Sequence, residues 1–182
     1  MTTLTKKNIE SRLKSILSER IMILDGAMGT MIQQHHLTEK DYRGNQFSKF
    51  SAPDGERELF LKGNNELLSI TKPEIIQDIH EEFLEAGADI IETNTFGANS
   101  IAQDDYYMPH LVHEMNLASV NIARKAVSNY SSPEKPRFIA GAIGPTPKTA
   151  SISPDVNDPG ARNINFDELV KSYREQTKAL IE

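Results

Sequence analysis

Three short apolar runs, each followed by polar residues and a glycine, constrain the fold of this chain more than any other feature. They span Ile21–Leu24, Ala88–Ile91 and Phe138–Ala142. The first run is continuous, which is typical of a strand that is buried on both faces, whereas Asp89 interrupts the second. Helical patterns separate the runs, and strands that alternate with helices form a parallel sheet with right-handed crossovers. The sequence therefore predicts an α/β fold.

Helical patterns precede, separate and follow the three runs. An amphipathic pattern over Thr5–Glu19 predicts the first helix. Thr71 and Glu74 have the spacing of a capping box for the second helix, which Gly87 is suited to end. A third helix is predicted over His113–Ser128. The last helical pattern begins at a potential cap, Asn165 with Glu168, and has apolar or small residues at Phe166, Leu169, Val170, Tyr173, Thr177, Leu180 and Ile181.

Polar residues and glycines follow all three runs at the same end, which is the arrangement found in a (β/α)8 barrel. Such a barrel has eight strands and typically about 250 residues. This chain has 182 residues and three strand patterns. We therefore expect the first part of a (β/α)8 TIM barrel, about three βα units. The predicted organisation is an N-terminal helix over residues 1–20, followed by the N-terminal half of the barrel over residues 21–182.

A long segment without regular periodicity, residues 33–69, follows the first strand pattern. Loops of this length are uncommon in compact domains and are usually functional. The segment contains the aromatic residues Tyr42, Phe47 and Phe50. Aromatic residues are scarce in disordered segments. We therefore expect this loop to be packed against the rest of the chain.

The end of the first strand pattern is the strongest candidate for a site. Asp25 and Gly26 form a turn there, and Asp25 could simply cap the helix that follows. A carboxylate beside glycines at a strand end also suits a small-molecule site. Asp25 is suited to an ammonium group, whereas main-chain N–H groups and the Thr95 hydroxyl are suited to a carboxylate. Those groups are the two ends of a free amino acid.

Composition excludes several classes of function. The chain has 26 acidic and 20 basic residues and no basic stripe, which argues against nucleic-acid and anionic-membrane partners. It has no apolar run long enough to span a membrane and no signal-peptide pattern at its start. It has no cysteine, and its five histidines lack metal-ligand spacing. We expect a cytoplasmic protein.

Four separated motifs together resemble one family. They are LDGAMGTMIQ, GNNELLSITKPEII, GADIIETNTFGAN and GAIGPTPKTASISPDVNDPGARNINFDELVKSYREQ. In this order they resemble the N-terminal homocysteine-binding module, of the homocysteine S-methyltransferase type, of cobalamin-dependent methionine synthase. Betaine– and S-methylmethionine–homocysteine methyltransferases share part of the pattern. The SISPDVNDPGARNI segment is more similar to methionine synthase.

The resemblance implies a barrel in which zinc binds the sulfur of homocysteine. The homocysteine thiolate would take a methyl group from methylcobalamin, which methyltetrahydrofolate re-methylates on other modules. By position in the motifs, Asp25 matches the contact to the substrate ammonium, Gly26 and Ala27 the backbone around it, and Thr95 a contact to the substrate carboxylate. Two residues at neighbouring strand ends, Asn94 and Gly144, complete the predicted substrate-binding set.

The sequence departs from the family pattern in its metal ligands. The three zinc cysteines of the family lie in the second half of the barrel, and this chain has none. We therefore expect a fragment of methionine synthase with no catalytic residue and no zinc ligand of its own. Its expected partners are homocysteine, the remaining half of the barrel, and the folate, cobalamin and reactivation modules. A non-catalytic amino-acid-binding or packing module, or a betaine or S-methylmethionine–homocysteine methyltransferase relative, remains the alternative.

Overall fold

The computed structural model describes residues 6–53, 55 and 58–182, with side chains from residue 9 onward. Helices dominate the described residues. They are α1 (Lys6–Glu19), α2 (Met28–Gln34), α3 (Glu39–Arg43), α4 (Leu68–Thr71), α5 (Pro73–Ala86), α6 (Ser100–Gln103), α7 (Val112–Tyr130) and α8 (Phe166–Ile181), with 3-10 turns at Asn65–Leu67, Asp104–Tyr106 and Pro109–Leu111. None of these helices combines the length and the apolar character needed to cross a bilayer.

A small parallel sheet organises the helices. Strand β1 (Ile90–Glu92) pairs in parallel with β2 (Phe138–Ala140). Leu24 forms a parallel bridge to Ile90 on the other side of β1, and the N–H of Asp25 donates to the carbonyl of Ile90 at 2.9 Å. The three segments therefore lie side by side in chain order. The parallel pairing that the alternation of strands and helices predicted is confirmed.

The burial predicted for the first apolar run is wrong. Ile21, Ile23 and Leu24 are 86%, 58% and 48% exposed, and only Leu24 forms a sheet bridge. The run lies at the edge of the sheet with β1 on one side. Nothing within the described residues pairs with its other side, so its apolar side chains stay in contact with solvent.

The helical layer carries most of the core. Leu68, Ile76, Ile79, Met108 and Met115 are fully buried in one cluster, which lies between α4, α5 and α7. At about 25 cal/mol per Å2 of apolar surface removed from water, burial of such side chains is the main stabilising term of the fold. The α5–α7 layer therefore supports the sheet from one side.

Two of the predicted helix boundaries depend on specific residues. Gly87 ends α5 in a left-handed conformation with φ of 116°, as its sequence position predicts. The predicted capping box at the start of that helix is wrong. Lys72 precedes α5 without a side-chain cap, because the Thr71 hydroxyl belongs to α4 and donates instead to the carbonyl of Leu67 at 3.3 Å. Pro73 occupies the first turn of the helix, as proline often does.

The last helix has an unexpected buried side. Asn165 and Glu168 form the predicted capping box, which confirms the start of α8. The buried residues of this helix are Ser172, Gln176 and Ala179, whereas Phe166 and Ile181, part of the apolar stripe, are exposed. Helix α8 packs against α7 and α6, and Ser172 bonds to Ser100 of α6. Gln176 reaches the main chain that follows β1, where it donates to the carbonyl of Thr95.

The long segment after the first strand pattern, residues 33–69, is packed in its described part, as its aromatic residues predict. It is not wholly irregular, because α3 and the 3-10 turn at Asn65–Leu67 lie within it. The Arg43 guanidinium donates to the carbonyls of Phe50 and Leu59, at 2.6 Å each. The Glu39 carboxylate accepts the main-chain N–H groups of Leu61 at 2.9 Å and of Lys62 at 2.7 Å. These charge-assisted bonds hold two separated stretches of the loop to α3.

An ion pair fixes the first apolar run to the start of β1. Both oxygens of the buried Asp89 carboxylate accept hydrogen bonds from Arg20, at 2.7 Å each, and one also accepts the N–H of Ile23 at 2.9 Å. The hydrogen bonds from Arg20 are the largest of the effects that lower the pKa of Asp89 to about 2. The adjacent Arg137 is also buried and donates to the carbonyl of Gly87 at the end of α5. The pair therefore positions the segment that carries Asp25.

Candidate functional site

A cavity of about 350 Å3 lies at the C-terminal ends of the three parallel segments. Five of the six predicted substrate-binding residues line it, and Gly144 does not. Parallel strands place their C-terminal ends at one edge, which is why residues from distant parts of the sequence meet there. The cavity is lined by Asp25, Gly26, Ala27, Met28, Gly29, Asn65, Glu66, Glu92, Thr93, Asn94, Thr95, Phe96 and Ala142.

The Asp25 carboxylate is half-buried beside the C-terminal end of β1. Its two oxygens accept the main-chain N–H of Glu92 at 3.1 and 3.0 Å. Burial raises the pKa of Asp25 to about 6, and the neighbouring Glu92 charge acts in the same direction. The alternative in which Asp25 caps the following helix is not what the structure shows, because α2 begins after Ala27 without a side-chain cap. A carboxylate held in this way favours a cationic partner.

The Thr95 hydroxyl is already committed within the chain. It donates to the carbonyl of Ala142 at 2.8 Å and lies 2.6 Å from the Thr93 hydroxyl. The Thr93 hydroxyl in turn accepts the N–H of Ala142 at 3.0 Å. The two fully or nearly fully buried threonines therefore join the end of β1 to the end of β2. A ligand at Thr95 would meet its main chain rather than its hydroxyl.

Main-chain N–H groups remain available beside the cavity. Within the part of the chain that the structure describes, the N–H groups of Gly26, Ala27 and Phe96 donate to no acceptor. A Cβ added to Gly26 would meet no atom within 4 Å, so packing does not require a glycine there. The open space belongs to the cavity. Free N–H donors beside a carboxylate suit a zwitterionic ligand.

Asn94 supports the cavity wall rather than facing a ligand with its amide. Its buried side chain donates to the carbonyl of Asn65 at 2.8 Å and to the Ser69 hydroxyl at 3.2 Å. The main-chain carbonyl of Asn94 accepts a hydrogen bond from the Ser119 hydroxyl at 3.2 Å. These bonds tie the segment after β1 to the 3-10 turn and to α7.

Gly144 packs directly behind the cavity. Its N–H donates to the carbonyl of Phe96 at 3.0 Å, and its own carbonyl accepts the Tyr173 hydroxyl at 3.0 Å. A Cβ at this position would lie 2.5 Å from the Phe96 carbonyl oxygen and 2.6 Å from its ring. The glycine is therefore needed for the close approach of two strand ends.

Glu66 and Gln176 reach this site without a sequence signal that would have identified them. Glu66 accepts the N–H of Gly97 at 2.8 Å, and burial raises the pKa of its carboxyl group. Gln176 donates to the carbonyl of Thr95 at 2.7 Å.

A comparison with known families identifies the family of this chain. The family model described as homocysteine S-methyltransferase matches residues 22–182, which include every residue that lines the cavity. The chain belongs to the homocysteine S-methyltransferase family.

Two solved structures of the Escherichia coli homocysteine methyltransferase MmuM have a fold similar to that of this family member. The oxidized form is 19% identical, with a TM-score of 0.64, and the match covers 93% of this chain and 52% of that protein. The metallated form is 20% identical, with a TM-score of 0.64, and the match covers 93% of this chain and 53% of that protein. The chain thus spans about half the length of the solved structures that it matches.

The described residues of this family member do not form a zinc site. A catalytic zinc requires three protein ligands and an open position. The sequence contains no cysteine. Among residues 6–53, 55 and 58–182, no three His, Asp or Glu side chains come together as metal ligands. No metal-dependent step is therefore assigned to these residues.

Gly144→Ala is expected to destabilise the chain by about 1–3 kcal/mol, because an added methyl group must displace the Phe96 carbonyl. Urea denaturation of both proteins measures the loss. Gly141→Ala is the matched control, since its Cβ would meet only the flexible end of Leu180, at 3.1 Å. Equal stability of the Gly144 variant and the control would contradict the proposed close approach.

Proposed function

We propose that this chain is the N-terminal part of a methyltransferase of the cobalamin-dependent methionine synthase type, and that its cavity holds the amino-acid end of homocysteine. The observation that carries the proposal is the half-buried Asp25 carboxylate beside the free N–H groups of Gly26 and Ala27. An α-amino acid carries its ammonium and its carboxylate on one carbon. Adjacent acceptor and donor groups are what such a ligand requires.

The charge of the cavity supports this assignment. Asp25, Glu66 and Glu92 supply carboxylates, and no Lys, Arg or His is among the residues that line the cavity. A ligand with a net negative charge, such as a phosphate, would be repelled. An ammonium group would be attracted, while its attached carboxylate would depend on main-chain N–H groups, which carry no net charge.

In this proposal the Asp25 carboxylate accepts a hydrogen bond from the substrate ammonium. The substrate carboxylate is surrounded by the main chain of Gly26, Ala27 and Thr95–Phe96. Asn94 and Gly144 contribute by holding the walls of the cavity in place. The thiol end of homocysteine extends towards the remaining part of the protein. Zinc and methylcobalamin would supply thiolate activation and the methyl group there, so the role of this chain is to bind and orient the substrate.

The arrangement of the sheet supports the proposed domain organisation, an N-terminal helix over residues 1–20 and half of a barrel over residues 21–182. Three parallel segments lie in chain order, as neighbouring strands do in a barrel. Ile23 and Leu24 remain exposed at one edge. Additional strands would cover these side chains and pair the free edge.

Truncated ligands test the proposed site. L-homocysteine is expected to bind more tightly, by about tenfold or more, than 3-aminopropanethiol, which lacks the carboxylate, or 4-mercaptobutyrate, which lacks the ammonium. Isothermal titration calorimetry of the chain with each ligand measures this. Equal affinities for all three ligands would contradict an amino-acid site.

A methyl-donor comparison separates the members of the family. The SISPDVNDPGARNI segment favours methionine synthase, whereas the likeness to MmuM leaves a betaine or S-methylmethionine-dependent relative as the second candidate. A form of the protein that includes the remaining half of the barrel is expected to methylate homocysteine from methylcobalamin. Methylation from betaine or S-methylmethionine instead would establish the second candidate. A chain that binds homocysteine without turnover in that form would be a binding module.

A further inference from the structure

Gln176 joins two strand ends from the helical side of the cavity. Its side chain is fully buried on α8, and its Nε2 donates to the carbonyl of Thr95 at 2.7 Å. The same nitrogen lies 3.5 Å from the carbonyl of Ala142. Thr95 and Ala142 follow β1 and β2 and both line the cavity. One amide group thus connects α8 to both of these segments.

Stability alone does not explain a glutamine at this position. The Oε1 atom of Gln176 is buried and has no hydrogen-bond partner within the described residues. An unpaired buried polar atom is destabilising, and an apolar side chain of similar size would avoid it. The feature that distinguishes glutamine from such a side chain is its bond to the main chain of Thr95.

The geometry of the peptide group gives this bond a directional effect. The described residues include no cis peptide, so the C=O and N–H of the Thr95–Phe96 peptide point in opposite directions. With the Thr95 carbonyl held towards α8, the Phe96 N–H points away from α8. Phe96 lines the cavity, and its N–H has no acceptor within the described part of the chain.

Neighbouring bonds hold the same turn in one orientation. The Thr95 carbonyl also accepts the N–H of Ala98 at 3.0 Å, so two donors fix its direction. Glu66 accepts the N–H of the following Gly97 at 2.8 Å. A turn secured on both sides of the Thr95–Phe96 peptide has little freedom to rotate it, which preorganises its free donor.

We infer that Gln176 is a positioning residue that directs the Phe96 N–H towards the carboxylate of the amino-acid substrate. The inference rests on the proposed function of the cavity. Gln176 touches no substrate and acts only through the Thr95–Phe96 peptide. Replacement of Gln176 therefore weakens the contact between the Phe96 N–H and the ligand carboxylate, and it leaves the contact between Asp25 and the ligand ammonium intact.

The main test compares Gln176→Leu with Ser172→Ala. Ser172 is buried on the same face of α8 and bonds to Ser100 rather than to the cavity wall, so it is a matched control. We expect Gln176→Leu to bind L-homocysteine about tenfold more weakly and 3-aminopropanethiol within about twofold of the unaltered chain. Ser172→Ala is expected to leave both affinities unchanged. Equal loss for both ligands, or no loss for either, would overturn the inference.

A measurement without ligand separates this inference from the proposed function. The amide NMR resonance of Phe96 is expected to shift or broaden in Gln176→Leu and to stay in place in Ser172→Ala. If homocysteine fails to bind the unaltered chain but the Phe96 resonance moves, the proposed function fails and the positioning by Gln176 stands. An unmoved resonance overturns the inference. If the leucine variant does not fold, Gln176→Asn, whose amide is too short to reach Thr95, takes its place with the same expected results.

Discussion

Asp89→Ala is expected to lower the free energy of unfolding by about 3 kcal/mol at pH 7, the lower end of the range for breaking a buried ion pair. The Asp89 side chain is 2% exposed, and its removal leaves Arg20 and the N–H of Ile23 without their shared acceptor. Arg137, whose side chain is 4% exposed and lies 4.0 Å from Asp89, is left as a buried charge, whereas Arg20 is 43% exposed and can be solvated, which limits the loss. Urea denaturation at constant ionic strength measures the change.

The effect of Asp89 depends on pH in a predictable direction. Its pKa is lowered to about 2 in the folded chain, against about 3.9 in an unfolded one. The stabilisation is therefore complete above about pH 4 and is lost as the pH falls from 4 towards 2. Asp104→Asn, which removes an exposed pair with Lys148 at 3.4 Å, is the control and should cost less than about 0.5 kcal/mol. Equal losses in the two variants would contradict the assigned role of Asp89.

The sequence predicts the order of elements better than it predicts their burial. The alternation of apolar runs with helical patterns correctly predicts parallel pairing, and Gly87 and Asn165 mark helix boundaries through local chemistry. Burial of Ile21–Leu24 depends on what lies beside it, and an apolar run does not specify its neighbours. The Thr71 cap fails for a similar reason, since an adjacent short helix competes for the same hydroxyl.

The position of the cavity follows from the sequence, but the hydrogen bonds within its wall do not. Polar residues after each run predict a cavity at the strand ends, and Asp25 and Asn94 both line it. The sequence does not indicate that the Thr95 hydroxyl bonds to Ala142. Glu66 and Gln176 depend on contacts between segments that are far apart in the chain, so residue type and spacing give no information about them.

Asp25→Asn is expected to weaken homocysteine binding by about 10- to 150-fold, the effect of losing a charge-assisted hydrogen bond worth about 1.5–3 kcal/mol. The asparagine Oδ1 can still accept the N–H of Glu92, so the wall of the cavity should be retained. The variant also replaces a half-buried carboxylate whose pKa is raised to about 6. Its thermal stability should therefore equal or exceed that of the unaltered chain. Calorimetric titration at pH 7.5 and thermal melts measure the two effects.

The pH dependence of binding identifies the charge on Asp25 as the cause. Because the Asp25 pKa is about 6 in the free chain, homocysteine affinity should fall as the pH drops below 6, when the carboxylate becomes protonated. The asparagine variant should lose this dependence. Glu92→Gln is the matched control, because it removes another charge from the cavity and keeps the main-chain N–H that donates to Asp25. If Glu92→Gln weakens binding as much as Asp25→Asn does, the summed charge of the cavity attracts the ligand and Asp25 makes no direct contact. A much smaller effect of Glu92→Gln leaves Asp25 as the acceptor of the substrate ammonium.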